Sequence, residues 1–348
     1  MEKRIDLSVK LGSIKLKNPV ILASGTCGFG EEISAFLDLN KIGAIVTKTI
    51  TLKPKEGNPP PRIAEVEDGI INSIGLENPG VKIFIKDKLP FLRKLKIPFF
   101  VSISGETEDE FAELAEILNK ELGIGAIELN LSCPNLHPVR NKSRHYVGTA
   151  RRCISGGISN GVFGQDPRAT HDIIKKVKKA TSIPIIAKLT PQVNDITEIA
   201  KACKKADCDI ISLINTIPAM VIDFNSGKPF LGAVTGGLSG PAIKPVALKM
   251  VYDVAKTLYP VRVRSPRGDR TEMPKAIPNS NGAIIGCGGI MTGKDAIEFI
   301  LAGASAVSIG TASLASPDSS LKILKEIENY LIQKKINSIG SLIGRAVC

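Results

Sequence analysis

The 348-residue sequence contains no apolar run approaching the ~18 residues that a membrane-spanning helix requires. Its N-terminus, MEKRIDLSVKLGSIKLKNP, scatters charges where a signal peptide carries an apolar core. Neither a signal peptide nor a membrane anchor is therefore expected. The seven cysteines, at 27, 133, 153, 203, 208, 287 and 348, form no CxxC pair. That argues against a zinc ribbon or a cysteine-ligated iron–sulfur cluster within this chain. An odd thiol count without secretory context fits reduced cysteines in the cytoplasm. The only histidines are His137, His145 and His171, too few and too scattered for a metal centre, so no metal is expected. Domain boundaries, short-period repeats and low-complexity tracts are also missing, and residues 1–348 read as one domain.

What is present is globular in character: 43% apolar and 23% charged residues, with 32 glycines and 22 prolines to make tight turns. The net charge of +12 would ordinarily suggest nucleic acid or an anionic surface. Its distribution argues otherwise. Residues 137–160 carry Arg140, Lys142, Arg144, Arg151 and Arg152 without an acid, and residues 260–281 carry a further +3. Two thirds of the excess thus belongs to two stretches rich in Pro, Gly, Asn and Ser, which read as long inserted loops.

Eight short apolar runs recur at 19–24, 44–50, 98–104, 126–132, 184–190, 210–216, 283–287 and 306–310. They are continuous rather than alternating, as strands covered on both faces should be. Amphipathic helix patterns lie between most of them, over 108–122 and near 168–181, 195–206, 243–257, 293–302 and 318–332. The first sets Phe111, Leu114, Ile117, Leu118 and Leu122 on one face. Eightfold alternation of this kind predicts an α/β fold, a parallel (β/α)8 TIM barrel. The opening LSVKLGSIKLKN predicts a small β-hairpin that plugs the barrel bottom.

In such a barrel, reactive groups belong at the C-terminal ends of the strands. Those ends read ASG (23–25), TKT (47–49), SISG (102–105), NLSCPN (130–135), AKLT (187–190), NT (215–216), GCGG (286–289) and GT (310–311). The last two open helices after strands 7 and 8, where glycine-rich backbone commonly binds phosphate. Cys133 follows strand 4, and Pro134 holds it extended. Without a histidine partner set, a general base suits it better than a metal ligand or a Cys–His nucleophile. Lys48 and Lys188 each end an apolar strand, where an unpaired ammonium is costly, so each should face an electron-rich group. Asn72, Asn130, Asn135 and Asn215 both donate and accept, which suits a flat heterocycle such as a pyrimidine.

Taken together, ASGTCGFGEE, TKTITLKPKEGNPPPR, NSIGLENPG, ELNLSCPN, LINT, TGGLSGPAIKPVAL, GCGGI and GASAVSIGTA resemble the class 1 dihydroorotate dehydrogenases, class 1B above all. The resemblance spans the chain apart from the two basic stretches. It implies an FMN-dependent barrel that oxidises (S)-dihydroorotate to orotate in de novo pyrimidine (UMP) biosynthesis. Cys133 would take the C5 proton, and Lys48 would touch substrate and flavin. Substrate would be held by Lys48, Asn72, Ser73, Ile74, Gly75, Leu76, Asn130, Asn215 and Thr216. FMN would be held by Ser24, Lys48, Thr49, Ser102, Asn130, Lys188, Ile214, Gly240, Gly288, Gly289, Gly310 and Thr311, the last four glycine and threonine positions around its phosphate. The resemblance further implies a homodimer, or a heterotetramer with a subunit that carries FAD and an iron–sulfur cluster and reduces NAD.

The sequence departs from the family pattern at Ser102, where an Asn is usual, and at Gln192-Val-Asn-Asp195 in place of Asn-Val-Thr-Asp. The basic stretch after Cys133 lengthens the loop expected to close over substrate. Three other readings compete with this one. They are a dihydropyrimidine dehydrogenase-type flavin barrel, an RNA-binding or tRNA-modifying flavin barrel, and a pseudoenzyme whose lid the insert has spoiled.

Overall fold

The computed structural model describes residues 5–132, 162–259 and 283–347. Cys133 and the two basic stretches lie outside the described residues. The eight strands of the barrel are β1 (Val20–Leu22), β2 (Ala44–Val46), β3 (Phe99–Ile103), β4 (Ile124–Asn130), β5 (Ile185–Leu189), β6 (Ile210–Leu213), β7 (Ala283–Cys287) and β8 (Ala306–Ile309). Each is parallel to the next, and the ring closes where Val307, Ser308 and Ile309 of β8 pair with Val20, Ile21 and Leu22 of β1. The expected (β/α)8 barrel is therefore the observed one. All five residues of β3, β5 and β7 are buried, which is why these strands read as unbroken apolar runs.

The helices start where the sequence supplies caps. Helix α1 (Glu108–Asn119) opens on Thr107, whose hydroxyl accepts from the Glu110 N–H at 3.2 Å, and three acids fill its first turn. Its buried residues, Phe111, Leu114, Ala115 and Leu118, fall at helical spacing and face the barrel. The helix ends earlier than the pattern suggested. Leu122 lies beyond it, exposed, because Gly123 turns the chain at φ 90° into β4. Helices α2 (Pro167–Ala180) and α3 (Ile196–Lys205) start on Asp166 and Asp195, each accepting from the backbone two residues on.

Two additions complete the barrel. The predicted hairpin forms from Val9–Leu11 and Ile14–Leu16, with Leu11 and Leu16 fully buried. Its turn sits at the N-terminal end of the barrel, where Gly12 approaches the Asp209 carbonyl just before β6. The second addition was not predicted. A four-stranded antiparallel sheet orders Ile217–Met220, Thr235–Ser239, Gly69–Asn72 and Ile63–Val66 beyond the strand ends. Its strands are short, partly exposed and glycine-rich (TGGLS), so they lack the apolar signature that marks barrel strands.

Helices α4 (Lys244–Leu258) and α5 (Gly293–Leu301) are fastened below the β7 turn by one carboxylate. Asp295 accepts from Met291 N (3.0 Å), Thr292 N (2.9 Å), Thr292 Oγ1 (2.8 Å) and Lys244 Nζ (2.6 Å). Burial alone would raise its pKa, but the Lys244 ammonium and these donors outweigh burial and hold it below the usual carboxylate value. Its contribution is therefore full above the unfolded-state pKa near ~3.9 and is lost as pH falls through the lower folded-state value. Asp295→Ala should cost about 2–3 kcal/mol in urea unfolding at neutral pH, the difference from wild type shrinking below about pH 4. Equal unfolding free energies at pH 7 would contradict this assignment.

Candidate functional site

The C-terminal ends of the barrel strands carry three connected polar groups. The first is a hydroxyl relay across β1, β2 and β3. Ser24 Oγ lies 3.3 Å from Thr49 Oγ1, which lies 2.9 Å from Ser102 Oγ, and the Ser102 N–H donates to Thr47 Oγ1 at 3.2 Å. Ser102 thus keeps the hydrogen-bonding function of the carboxamide expected there. Beside the relay, Gly25 has φ 88° and nothing within 4 Å of where a Cβ would stand, so the β1 turn faces open space.

The second group joins β4 to β6. Asn215 Nδ2 donates to Asn130 Oδ1 (3.2 Å) and Ser132 Oγ (2.8 Å), while Asn215 Oδ1 accepts from the Thr216 N–H (2.8 Å). These bonds fix the amide planes and hold the β4 end against the β6 end. Thr216 packs on Gly237, whose carbonyl accepts from Asn72 Nδ2 at 3.1 Å. The extra sheet therefore brings the 72–76 loop to the same rim. That loop is fastened from behind: Asn58 Nδ2 donates to Ser73 Oγ at 2.9 Å, Asn58 N to the Ile74 carbonyl, and Asn78 Nδ2 to the Leu76 carbonyl at 2.7 Å. Gly75 (φ 73°) and Leu76 (φ 57°) complete its tight course.

The third group surrounds the ends of β7 and β8. Gly240, Gly288 and Gly289 all have positive φ. A Cβ on Gly289 would stand 2.7 Å from Lys244 Cβ and 2.8 Å from the Gly240 carbonyl, and one on Gly288 would stand 2.9 Å from Ala247 Cβ and 3.5 Å from Ile214 Cγ1. Gly310 precedes the short helix Thr311–Ala315, and Thr311 Oγ1 donates to Ser239 Oγ at 2.9 Å. Among the described residues, no hydrogen bond uses the backbone N–H groups of Gly240, Gly288, Gly289, Gly310 or Thr311. Unspent donors at two helix-proximal turns are what an anion requires.

Two ammonium groups occupy the space between. Lys48 is half-buried and Lys188 is buried, and neither ammonium makes a hydrogen bond or ion pair with a described residue. Burial is the largest single influence on Lys188 and pulls its pKa down, but Glu128, Cys287 and Cys27 together outweigh burial and the net value is raised. Two thiols adjoin it. Burial pushes Cys27 to about 12 and also raises Cys287, so both remain neutral thiols at ordinary pH. Neither has the low pKa of a reactive cysteine.

The structure thus brings Ser24, Lys48, Thr49, Ser102, Asn130, Lys188, Ile214, Asn215, Thr216 and the glycine cluster to one end of the barrel. It places the 72–76 loop beside them. Cys133 lies outside the described residues, one position beyond the anchored Ser132. Sequence reasoning missed Ser132, Ser239, Asn58 and Glu128. Of these, Glu128 left a legible signal, an acid inside the apolar run AIELNLS. Among the described residues no group of His, Cys, Asp and Glu could hold a metal ion, and no helix is long and apolar enough to cross a membrane.

A family model described as dihydroorotate dehydrogenase matches residues 6–147, 156–263 and 274–331. Its two internal interruptions, at 148–155 and 264–273, fall inside the two basic stretches. The chain is 47% identical over 342 residues to a Geobacter metallireducens protein named dihydroorotate dehydrogenase B (NAD(+)), catalytic subunit, with 98% of each chain covered. It is 46% identical over 340 residues to the protein of that name from Caldicellulosiruptor saccharolyticus, covering 98% of this chain and 99% of the relative. The Desulforudis audaxviator protein of the same name is 44% identical over 343 residues, covering 99% and 98%.

The glycine geometry yields a paired expectation. Gly25→Ala meets only the backbone cost of a positive φ, about 1–2 kcal/mol. Gly289→Ala adds collisions with α4 and should cost about 3 kcal/mol or more. Chemical denaturation of both variants checks this, and equal losses would show that the β7 turn is not constrained by packing.

Proposed function

From the premise that this chain belongs to the dihydroorotate dehydrogenase family, we propose that it oxidises (S)-dihydroorotate to orotate for pyrimidine nucleotide synthesis, with FMN as its resident cofactor. The observation that carries this reading is the Asn130–Asn215–Ser132 group. It spans β4 and β6, presents carboxamides suited to a flat ring, and anchors the chain one residue before Cys133. The residues present also fit the cofactor. Free backbone donors at Gly240, Gly288, Gly289, Gly310 and Thr311 suit its phosphate. The relay through Ser24, Thr49 and Ser102 and the unpartnered ammoniums of Lys48 and Lys188 suit a polar heterocycle.

The chemistry is the removal of a proton from C5 and a hydride from C6, leaving the C5=C6 double bond of orotate. Bound FMN supplies the two-electron acceptor. Cys133, as thiolate, takes the C5 proton. Lys48, half-buried at the end of β2, favours that thiolate and the negative charge of the substrate. Asn72, Asn130, Asn215 and Thr216, with Ser73 to Leu76, hold the pyrimidine ring so that C5 meets the thiolate. Lys188 would stabilise negative charge on the reduced ring. Relatives named as NAD(+)-type catalytic subunits support a second subunit through which electrons reach NAD, and the class 1B resemblance implies FAD and an iron–sulfur cluster on that subunit.

Dihydroorotate added anaerobically to the purified yellow protein should bleach its flavin absorbance within one turnover. Cys133→Ala should retain flavin but slow bleaching about 10²–10⁴-fold at pH 7. In the wild type the rate should rise with pH through the thiol pKa. A flavin that dihydroorotate leaves oxidised across the neutral range contradicts the proposal, and full-speed bleaching by Cys133→Ala contradicts the role of the thiol.

A further inference from the structure

Glu128 has no role in the reaction outlined above. It lies in β4 two residues before Asn130, so its side chain leaves the same face of the strand one layer deeper in the barrel. Its register partners are Ser102 on β3 and Ile186 on β5, while Asn130 pairs with Lys188. Glu128 and Lys188 therefore occupy successive layers of one interior face, on adjacent strands. Glu128 is 2% exposed, and its Oε1 has no hydrogen-bond partner among the described residues. A buried carboxyl with an idle oxygen is costly, so the fold retains it for an interaction with its surroundings.

Its surroundings identify that interaction. Lys188 is 8% exposed and lacks a hydrogen-bonded anion. The ionisable groups acting on it are Glu128 from β4, Cys287 from the end of β7 and Cys27 from the turn after β1. Burial raises both thiols, and Glu128 is the only carboxyl of the three. Burial by itself lowers the proton affinity of Lys188. The pull of Glu128 is the largest effect opposing that loss.

We propose that Glu128 is a positioning residue that acts through Lys188: its buried carboxylate is the counter-charge that keeps Lys188 an ammonium at the ring site. The pair presents positive charge upward, toward the strand ends, and keeps its negative charge in the layer beneath. This inference rests on the proposed function insofar as Lys188 faces a flavin, but the pairing itself does not.

The test separates the two. Lysines labelled with ¹³C at Cε are titrated by NMR between about pH 7 and 11, the Lys188 signal being assigned by its loss in Lys188→Met. In Glu128→Gln the proton affinity of Lys188 should fall at least about tenfold, and in Glu128→Asp, which draws the charge back by one methylene, it should fall less. Glu128→Asp serves alone if the Gln variant does not fold. An unmoved Lys188 titration in a folded variant overturns the pairing. With FMN bound, the flavin midpoint potential of the wild type should vary linearly with pH, while that of Glu128→Gln should bend at the Lys188 titration. A straight line in the variant overturns the action on the flavin. Failure of the wild type to bind FMN overturns the proposed function and leaves the lysine titration to judge the pair.

Discussion

Closure of the parallel ring is the constraint from which the rest follows. Because β8 pairs with β1 and every neighbour runs in the same direction, all eight strands end on one rim. Residues separated by nearly three hundred positions, from Ser24 to Thr311, share that rim without any local sequence relationship. The register then decides which side chains face inward. Asn130 pairs with Lys188, and Lys188 pairs with Ser212, so one level of the barrel carries an amide, an ammonium and a hydroxyl side by side. A slip of one residue in β5 would turn Lys188 out into the helical layer and remove the charge from the pocket.

The barrel was legible because its strands are buried on both faces. PIIAKLT and AIIGC carry no amphipathic compromise, and the helices between them announce themselves through caps such as Thr107, Asp166 and Asp195. The strand ends were legible for the converse reason: lysine, asparagine and paired glycines are out of place after apolar runs, and the pocket explains them. Less was legible where structure depends on partners far away in sequence. The strands at 63–72 and at 217–239 pair locally within each segment, but the two segments join into one sheet only through Gly237–Ser239 against Ile70–Asn72, some 165 residues apart, and no local pattern reveals that pairing. Leu122 fitted the helical stripe of α1 but lies past its end, since the glycine turn beside it outweighs periodicity.

Electrostatics gives the interior its character. The barrel buries an ammonium and a carboxyl with two neutral thiols nearby, and leaves a second ammonium, Lys48, half-buried at the rim. Such groups weaken a core that apolar residues could fill more stably. Their cost is carried by the ring of packed strands and by ties such as Asp295 beneath the β7 turn, which hold the site without taking part in it. The glycines of that turn serve the same division of labour. They let backbone donors approach one point because helix α4 lies too close for any side chain.

The central claim is that this rim is a site for a phosphorylated flavin, with the phosphate seated at the ends of β7 and β8. Fluorescence titration of the flavin-free chain with FMN and with riboflavin, which differ only in that phosphate, tests it most directly. The account predicts that FMN binds at least about 100-fold more tightly, a difference of roughly 2.7 kcal/mol. Equal affinity for the two, or no binding of either, would contradict it.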